Sequence, residues 1–258
     1  MPAAPNTSGS ARGRATLRPR KTAALLAQRI VGEITDRGLE PGTPLPSERD
    51  MLEEYAVARG TLRESLRFLE MQGVLTIRTG PGGGPVVSRP GSRHLASTIA
   101  MMLQLEQVAF RSIVEARVVL EPELARRAAT NATPEQLEAL RASSERMRER
   151  IADPDVFIEE NDTFHGLIAE AAGNPVFSMI ITSLTWICDG TPLGVEYSEA
   201  ARVAVSKEHA RILRAVEAGD PERAGAAMAV HIGDFAAYLE AKYPRVLDAT
   251  LRWDQVDL

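Results

Sequence analysis

The chain has 258 residues, enough for two ordinary domains, and its apolar and charged fractions are those of a globular protein. No apolar run approaches the ~20 residues that cross a membrane, and the single cysteine, Cys188, excludes an internal disulfide and indicates a reducing, cytoplasmic location. The net charge of −5 is spread unevenly, because residues 1–95 hold 14 basic and 9 acidic residues whereas residues 96–258 hold 16 and 26. This division is typical of a nucleic-acid-binding module followed by a regulatory module.

The first two segments differ in pattern. Residues 1–21 contain no acid and are rich in Ala, Ser, Pro and Arg, which predicts a disordered tail, with a basic arm for nucleic acid as the alternative. Residues 22–37 place Leu26, Ile30 and Ile34 on one face, which predicts an amphipathic helix that ends at Gly38.

Two further helices and a hairpin are predicted next. Ser47 is a favourable N-cap for the short helix SERDMLEEY. In the following helix, from about Ala58 to Gln72, two periodic sets lie on different faces. The apolar set is Leu62, Leu66 and Leu69, and the cationic set is Arg59, Arg63 and Arg67. VLTIRT and PVVSR read as strands around the turn GPGGG. Together these elements predict a winged helix-turn-helix over residues 22–89.

The stretch from LPSERDMLEEY to the wing TGPGGGPVV resembles the DNA-binding domain of the GntR family of bacterial transcription regulators, with the motifs in the family's order and spacing. The resemblance implies that five residues face DNA: Arg49, Arg59, Thr61, Arg63 and, in the wing, Gly80. Arginine can bind a guanine edge with two hydrogen bonds or pair with phosphate. Ala58 stands where the family usually has Ser or Thr, so this helix lacks a side-chain cap.

The remainder of the chain is predicted to be all-helical, which makes the fold class mostly α. Residues 90–105 are expected to form a linker and connecting helix, residues 106–242 a helical bundle for effector binding and dimerisation, and residues 243–258 a C-terminal tail. Thr133-Pro-Glu-Gln is a capping box. VFSMIITSLTWIC is apolar nearly all round, which predicts a buried central helix. In Gly219-Asp220-Pro221, the glycine ends one helix, Asp220 is the N-cap of the next and Pro221 begins it, which predicts a tight turn between two helices.

Three histidines fall at related heights in this bundle. His209 precedes Gly219 by ten residues and His231 follows Asp220 by eleven, so each lies ~15 Å from the same turn if the helices fold back. On a third helix, Asn161 and His165 are one turn apart on one face. The spacing alone leaves two interpretations open, a metal site and a set of structural core histidines.

Residues 106–242 also resemble the FCD-type helical effector domain of the FadR subgroup of these regulators, through ENDTFHGLIAEAAGNP, EHARILRAVEAGD and AAMAVHI. The resemblance implies a divalent metal of the Zn, Ni or Mn class held by Asn161, His165, His209 and His231. It also implies that Arg117 faces the pocket, where it could pair with a carboxylate. Asp162 is rotated ~100° from Asn161 around the helix and is expected to miss the metal.

The function expected from these features is a homodimeric transcription regulator, with no membrane partner, that binds a pseudo-palindromic double-stranded DNA operator and responds to a small organic acid. Tight binding without effector would make it a repressor. One alternative keeps the regulator but makes the histidines structural and the effector a larger acyl-type ligand. A helical metalloenzyme is not expected, because a di-iron site needs two Glu-x-x-His pairs and the chain offers only Asp162-x-x-His165.

Overall fold

The computed structural model describes residues 19–80, 82–188 and 194–255, so the predicted tail up to residue 18 lies outside the described residues. The chain forms two compact units, with the boundary in the sequence between Pro90 and Gly91. The first unit comprises α1 (Pro19–Asp36), α2 (Glu48–Tyr55), α3 (Arg59–Met71), β1 (Leu75–Arg78) and β2 (Gly84–Val87). Since α1 begins at Pro19, the last three residues of the predicted tail are helical.

The first unit is a winged helix-turn-helix, as predicted. The three leucines expected to face inward on α3 are all buried, in one core with residues of α1, α2 and β1: Leu26, Ala27, Ile30, Met51, Leu62, Leu66, Leu69 and Leu75. Ser47 caps α2, because its side chain accepts a hydrogen bond from the Asp50 amide. The turn between α2 and α3 passes through Ala56, which has a left-handed φ of 50°. These contacts fix α3 across the unit with its arginine face outward.

The wing is the antiparallel hairpin of β1 and β2, in which Leu75 pairs with Val87 and Arg78 with Gly84. Its turn depends on glycine. Gly80 has a φ of +97°, a region that side chains rarely adopt, and a Cβ on Gly83 would lie 2.3 Å from the carbonyl oxygen of Arg78. The tight turn therefore requires the glycine-rich sequence that predicted it.

The second unit is an all-helical bundle, as predicted. It contains α4 (Ser92–Leu105), α5 (Phe110–Asn131), α6 (Pro134–Glu149), α7 (Pro154–Ala171), α8 (Pro175–Cys188), α9 (Glu199–Glu217), α10 (Pro221–Lys242) and the short α11 (Pro244–Leu247), followed by a 3₁₀ turn (Trp253–Gln255). The Thr133 capping box is present, and Asp220 caps α10 by accepting from the Arg223 amide at 3.0 Å. Gly219, with φ of 62°, reverses the chain between α9 and α10, which pack against each other.

Two expectations for this unit, the central helix and the C-terminal tail, need correction. The central helix is α5, which packs against α7, α8, α9 and α10, whereas α8 leaves Val176 and Met179 more than half exposed. An apolar sequence shows that a helix is largely buried but not how many neighbours it has. The connecting helix expected within residues 90–105 corresponds to α4, which begins at Ser92 and buries Ala96 and Ala100 in the bundle core.

The expected C-terminal tail is also part of the bundle. Leu247 and Leu251 are buried in the same core, and the Phe110 amide donates to the carbonyl of Ala249 at 2.9 Å. The segment around Ala249 thus packs against the start of α5. Two apolar residues four apart are too weak a pattern to predict this from sequence.

Candidate metal centre and nucleic-acid interface

The three histidines of the bundle converge on one point. Nε2 of His231 lies 3.3 Å from Nε2 of His209 and 3.2 Å from Nε2 of His165. All three side chains are at most 3 % exposed. They come from α7, α9 and α10, and the Gly219 turn brings the two later histidines to the same height, as their spacing predicted. The structure therefore brings together three of the four predicted ligands around a common centre.

The spacing of these nitrogens suits a single ion. Two nitrogens bound to one metal at ~2.1 Å, with angles of ~90–110° between them, lie roughly 3.0–3.4 Å apart. The two measured separations, 3.2 and 3.3 Å, fall in this range. Neutral imidazole is a common ligand of zinc and nickel ions. The donor set and its geometry thus fit the divalent metal that the family resemblance implies.

Two acidic residues that sequence reasoning missed contact the outer nitrogens of the triad. Oε2 of Glu121, on α5, contacts Nδ1 of His165, and Oε2 of Glu208, on α9, lies 2.8 Å from Nδ1 of His231. Glu121 is almost fully buried, at 2 % exposure. Its only sequence signal is the i, i+4 spacing from Arg117, which is common on any helix surface. Glu208 is adjacent to His209 in the sequence, and this position does not indicate that its side chain contacts His231.

The third histidine is held differently. The ring of His209 stacks on Phe164, with centroids 4.0 Å apart and planes inclined by 12°. Its Nδ1 is buried and has no hydrogen-bond partner among the described residues. A buried polar atom without a partner is rare in folded proteins and often marks a functional site.

Burial keeps two of the rings neutral. It lowers the pKa of His165 to about 4, although the Glu121 carboxylate beside it acts in the opposite direction. Burial also lowers the pKa of His209 well below its usual value, and the neighbouring histidines add to the shift. For Glu121, burial opposes ionisation, but Arg117 and His165 outweigh it and the pKa is lowered. Neutral imidazoles beside an ionised carboxylate are the protonation states that metal ligation requires.

A small cavity of about 30 Å³ adjoins the triad, with room for about two waters. Asn161 lies on its wall together with His165 and His231 and is half-buried. Asp162 lines a separate groove on another side of α7, in agreement with its predicted rotation away from the centre. Aromatic side chains of Phe157, Tyr197 and Phe235 complete much of the wall.

Arg117 also lines this cavity, but it is not a simple solvent-facing cation. It is 4 % exposed, its Nε donates to Oε1 of Glu121, and its guanidinium lies 5.7 Å from the ring centroid of Phe235. The salt bridge that Arg117 forms with Glu121 is therefore buried and does not lie on the surface. The residue is a buried cation in the cavity wall, paired with the carboxylate that also contacts His165.

The residues predicted to face DNA lie on or beside α3 and in the wing. Arg49 is 85 % exposed at the start of α2, and Arg59 is exposed at the start of α3. Arg63 is also exposed, but its guanidinium makes a two-bond pair with Glu48, at 2.7 and 3.2 Å. Thr61 is half-buried, and its carbonyl accepts from Ser65. Gly80 lies at the wing turn. Ala58 provides no side-chain cap to α3, as predicted.

None of the described helices is both long and apolar enough to span a bilayer.

Comparisons with known proteins match both units. Residues 22–83 match the bacterial regulatory proteins of the gntR family, and residues 112–234 match the FCD domain, which includes the whole histidine triad. The HTH-type transcriptional repressor NanR of Cronobacter sakazakii is 30 % identical over 239 residues, covering 90 % of this chain and 91 % of the relative. NanR of Enterobacter sp. is 28 % identical over 237 residues, with 90 % of each chain covered.

Among solved structures, Streptococcus agalactiae GntR covers 84 % of this chain and 99 % of its own, with a TM-score of 0.67 and 22 % identity, which supports the fold. Identity to the NanR relatives over nine-tenths of the chain and the two domain matches agree with the winged helix and helical bundle described above. The chain therefore belongs to the GntR family of bacterial regulatory proteins, as a transcription regulator with an FCD domain rather than an enzyme.

Proposed function

We propose that the protein is a DNA-binding repressor of the FadR subgroup that senses a small carboxylate through a divalent metal centre. The centre would be formed by Asn161, His165, His209 and His231. The names of the NanR relatives, which describe transcriptional repressors, support the sign of regulation. The location would be the cytoplasm, where a bacterial operator is found.

The observation that carries the metal centre is the contact between two ring nitrogens. Nδ1 of His165 and Nδ1 of His231 each face a carboxylate oxygen, which can only accept, so these nitrogens carry the hydrogens. The Nε2 atoms of the same neutral rings are then both acceptors, yet they lie 3.2 Å apart. Two acceptors at this distance repel each other unless a positive charge lies between them. A divalent cation meets this requirement, and a proton shared by the rings is the alternative that metal analysis would distinguish.

The charges around the centre favour an anionic effector. All four proposed ligands are neutral, so the ion would keep both of its charges. Glu121 and Arg117 offset each other, and Glu208 alone opposes the ion. The site would therefore be positive overall and would attract a carboxylate, with the guanidinium of Arg117 on the same cavity wall.

The dimensions of the cavity favour a small effector over the larger acyl-type ligand. Its volume of about 30 Å³ accepts about two waters, so even a small organic acid requires some side chains to move. A long acyl chain would require a much larger rearrangement of the surrounding helices. The aromatic walls, Phe157, Tyr197 and Phe235, would contact the apolar part of the effector.

Arg49, Arg59, Thr61, Arg63 and Gly80 would form the DNA-contacting surface. A homodimer would present two such surfaces to the halves of a pseudo-palindromic operator, about one helical turn apart. If the effector binds one arrangement of the dimer more tightly, it must change the DNA affinity, and DNA must change the effector affinity by the same factor.

The test combines metal analysis with DNA binding. The purified wild-type protein should contain up to one first-row metal ion per chain, and His209→Ala should contain none. It should bind DNA from its own promoter region with strong salt dependence and sequence preference. Small organic acids should raise the melting temperature of the metal-loaded protein and weaken this DNA binding. Sequence-independent DNA binding, or equal metal content in wild type and His209→Ala, would contradict the corresponding half of the proposal.

A further inference from the structure

The carboxylates of Glu121 and Glu208 occupy equivalent positions behind two of the three imidazoles. Each lies against Nδ1, on the side of the ring opposite the point where the Nε2 atoms converge. We propose that Glu121 and Glu208 are positioning residues of the metal centre, each of which fixes one histidine with its Nε2 lone pair turned toward the ion. This inference rests on the proposed metal centre and adds to it two residues outside the set of ligands.

A histidine ring has two orientations of similar shape, because a half-turn about its Cβ–Cγ bond exchanges nitrogen and carbon positions. In the flipped orientation of His231, a C–H group would face Glu208 and a carbon would replace Nε2 at the centre. The contact of 2.8 Å between Nδ1 and Glu208 selects the orientation with nitrogen at the centre. It also selects the tautomer, since the carboxylate accepts the Nδ1 hydrogen and leaves the Nε2 lone pair available.

Packing alone does not provide this selection. The rings of His165 and His231 are nearly parallel, with centroids 5.2 Å apart and planes inclined by 17°. Such stacking constrains the plane of a ring but does not distinguish its nitrogen from its carbon atoms. His209 shows the contrast, because Phe164 stacks on its ring and, among the described residues, no carboxylate forms an ion pair with its Nδ1. The carboxylates therefore select the tautomer and the ring orientation of His165 and His231, whereas packing fixes only the ring plane of His209.

The carboxylates of Glu121 and Glu208 differ in their other contacts and in their burial. Glu121 uses one oxygen for Nε of Arg117 and the other for Nδ1 of His165, so it links the cation of the cavity wall to a metal ligand. Both members of the Arg117–Glu121 pair are buried, and loss of one would leave the other charge uncompensated. Glu208 is 15 % exposed and lies at the edge of the bundle. Substitution of Glu208 is therefore the cleaner test, and substitution of Glu121 tests the same role at a greater risk to folding.

The experiment measures Zn²⁺ affinity of the full chain by competition with a chromophoric chelator. Glu208→Gln retains the size of the side chain but replaces the carboxylate with an amide, whose oxygen is a weaker acceptor for the Nδ1 hydrogen of His231. It should bind Zn²⁺ about 10–100-fold more weakly than wild type, as for other residues behind metal-bound histidines. Glu121→Gln should show a loss of at least this size. The visible absorption spectrum of the Co²⁺-loaded protein should change in both variants, whereas the melting temperature of metal-free Glu208→Gln should remain near that of wild type.

Matched controls lie on the same two helices. Glu199→Gln on α9 and Glu123→Gln on α5 remove exposed carboxylates that do not contact the triad, and should retain wild-type Zn²⁺ affinity. Wild-type affinity and an unchanged Co²⁺ spectrum in Glu208→Gln would overturn this inference while leaving the metal centre intact. Failure of the wild-type protein to bind Zn²⁺, Co²⁺, Ni²⁺ or Mn²⁺ would overturn the metal centre and this inference together.

Discussion

Glu208 lies directly before His209 in the chain, yet its carboxylate contacts His231 on the neighbouring helix, at 2.8 Å from Nδ1. Adjacent residues on a helix point ~100° apart, so Glu208 and His209 leave α9 in different directions. The packing of α9 against α10 then places the ring of His231 within reach of both: Nε2 faces His209 and Nδ1 faces Glu208. Two helices joined by one turn thus contain two of the proposed ligands and one of the residues proposed to orient them.

Metal binding should stabilise the protein through the histidine triad. A ligand that binds only the folded state adds about 2.7 kcal/mol when present at 100 times its dissociation constant. For a unit of this size, that corresponds to an increase of roughly 5–10 °C in melting temperature. We expect a chelator to reverse the increase and His209→Ala to abolish it. His94→Ala, which removes an exposed histidine on α4, should retain the full increase. Equal metal-dependent stabilisation of His209→Ala would argue against the site.

The stability of the metal-free protein should fall as the pH decreases from about 6.5 to 4. Burial lowers the pKa of His165 to about 4 and that of His209 well below 6.5, so the unfolded chain binds protons in this interval that the folded chain does not. Proton uptake by the unfolded state favours unfolding, which makes the contribution of each neutral histidine fully present above its unfolded pKa and progressively lost below it. Protonation linked to His165 alone should lower the free energy of unfolding by roughly 1.4 kcal/mol for each unit of decrease in pH within this interval.

Urea unfolding of chelator-treated protein at several pH values checks this expectation. His94→Ala should follow the wild-type curve, because the side chain that it removes is exposed. A free energy of unfolding that stays constant from pH 7 to pH 4.5 would contradict the assignment of His165 and His209 as neutral in the fold.

Arg59→Ala should weaken operator binding more than it weakens binding to unrelated DNA. An arginine that pairs with a guanine edge contributes about 1–3 kcal/mol of discrimination, a factor of roughly 5–150. Loss of a phosphate contact would instead weaken binding to all sequences alike and reduce the salt dependence. Fluorescence anisotropy with operator and scrambled duplexes at two salt concentrations separates these outcomes. Arg37→Ala, at the exposed end of α1, serves as the control.

Glu48→Gln should increase DNA affinity. In the structure Glu48 pairs with Arg63, and the hydrogen bond from Arg63 lowers the pKa of the carboxyl. Without this carboxylate, Arg63 can pair with DNA without first leaving its internal partner, and one negative charge is removed from the proposed DNA surface. The same change should alter stability by less than about 1 kcal/mol, since both side chains are exposed.

The control for this variant is Glu53→Gln, which removes an exposed carboxylate from the same helix. A decrease in DNA affinity of Glu48→Gln, with unchanged stability, would show that the Glu48–Arg63 pair orients the arginine for DNA rather than competing with it.

The sequence was most informative where structure follows from neighbours along the chain. Ser47, Thr133 and Asp220 cap helices as predicted, because a cap needs only an acceptor and a backbone amide two or three residues later. The inward leucines of α3 followed from helical periodicity. The histidine heights followed in the same way, since equal spacing from one turn gives equal distance along two packed helices.

Expectations failed where neighbours come from distant parts of the chain. Apolar residues all round α8 predicted a central helix, but α5 holds that position because four helices pack against it. The segment predicted as a C-terminal tail contributes Leu247 and Leu251 to the bundle core. A few apolar residues in a short segment show no strong periodicity, and only the shape of the core determines whether it accepts them.

The sequence by itself determined a winged helix joined to a helical bundle, the arginines on the outer face of α3 and the common height of His209 and His231, since each depends on local periodicity or on one tight turn. Tertiary structure alone decided that Arg117 is buried against Glu121, that Arg63 meets Glu48, and that acidic residues lie behind two of the imidazoles. These relations join side chains on different helices or depend on burial, and the direction and depth of a side chain are fixed only when the helices pack.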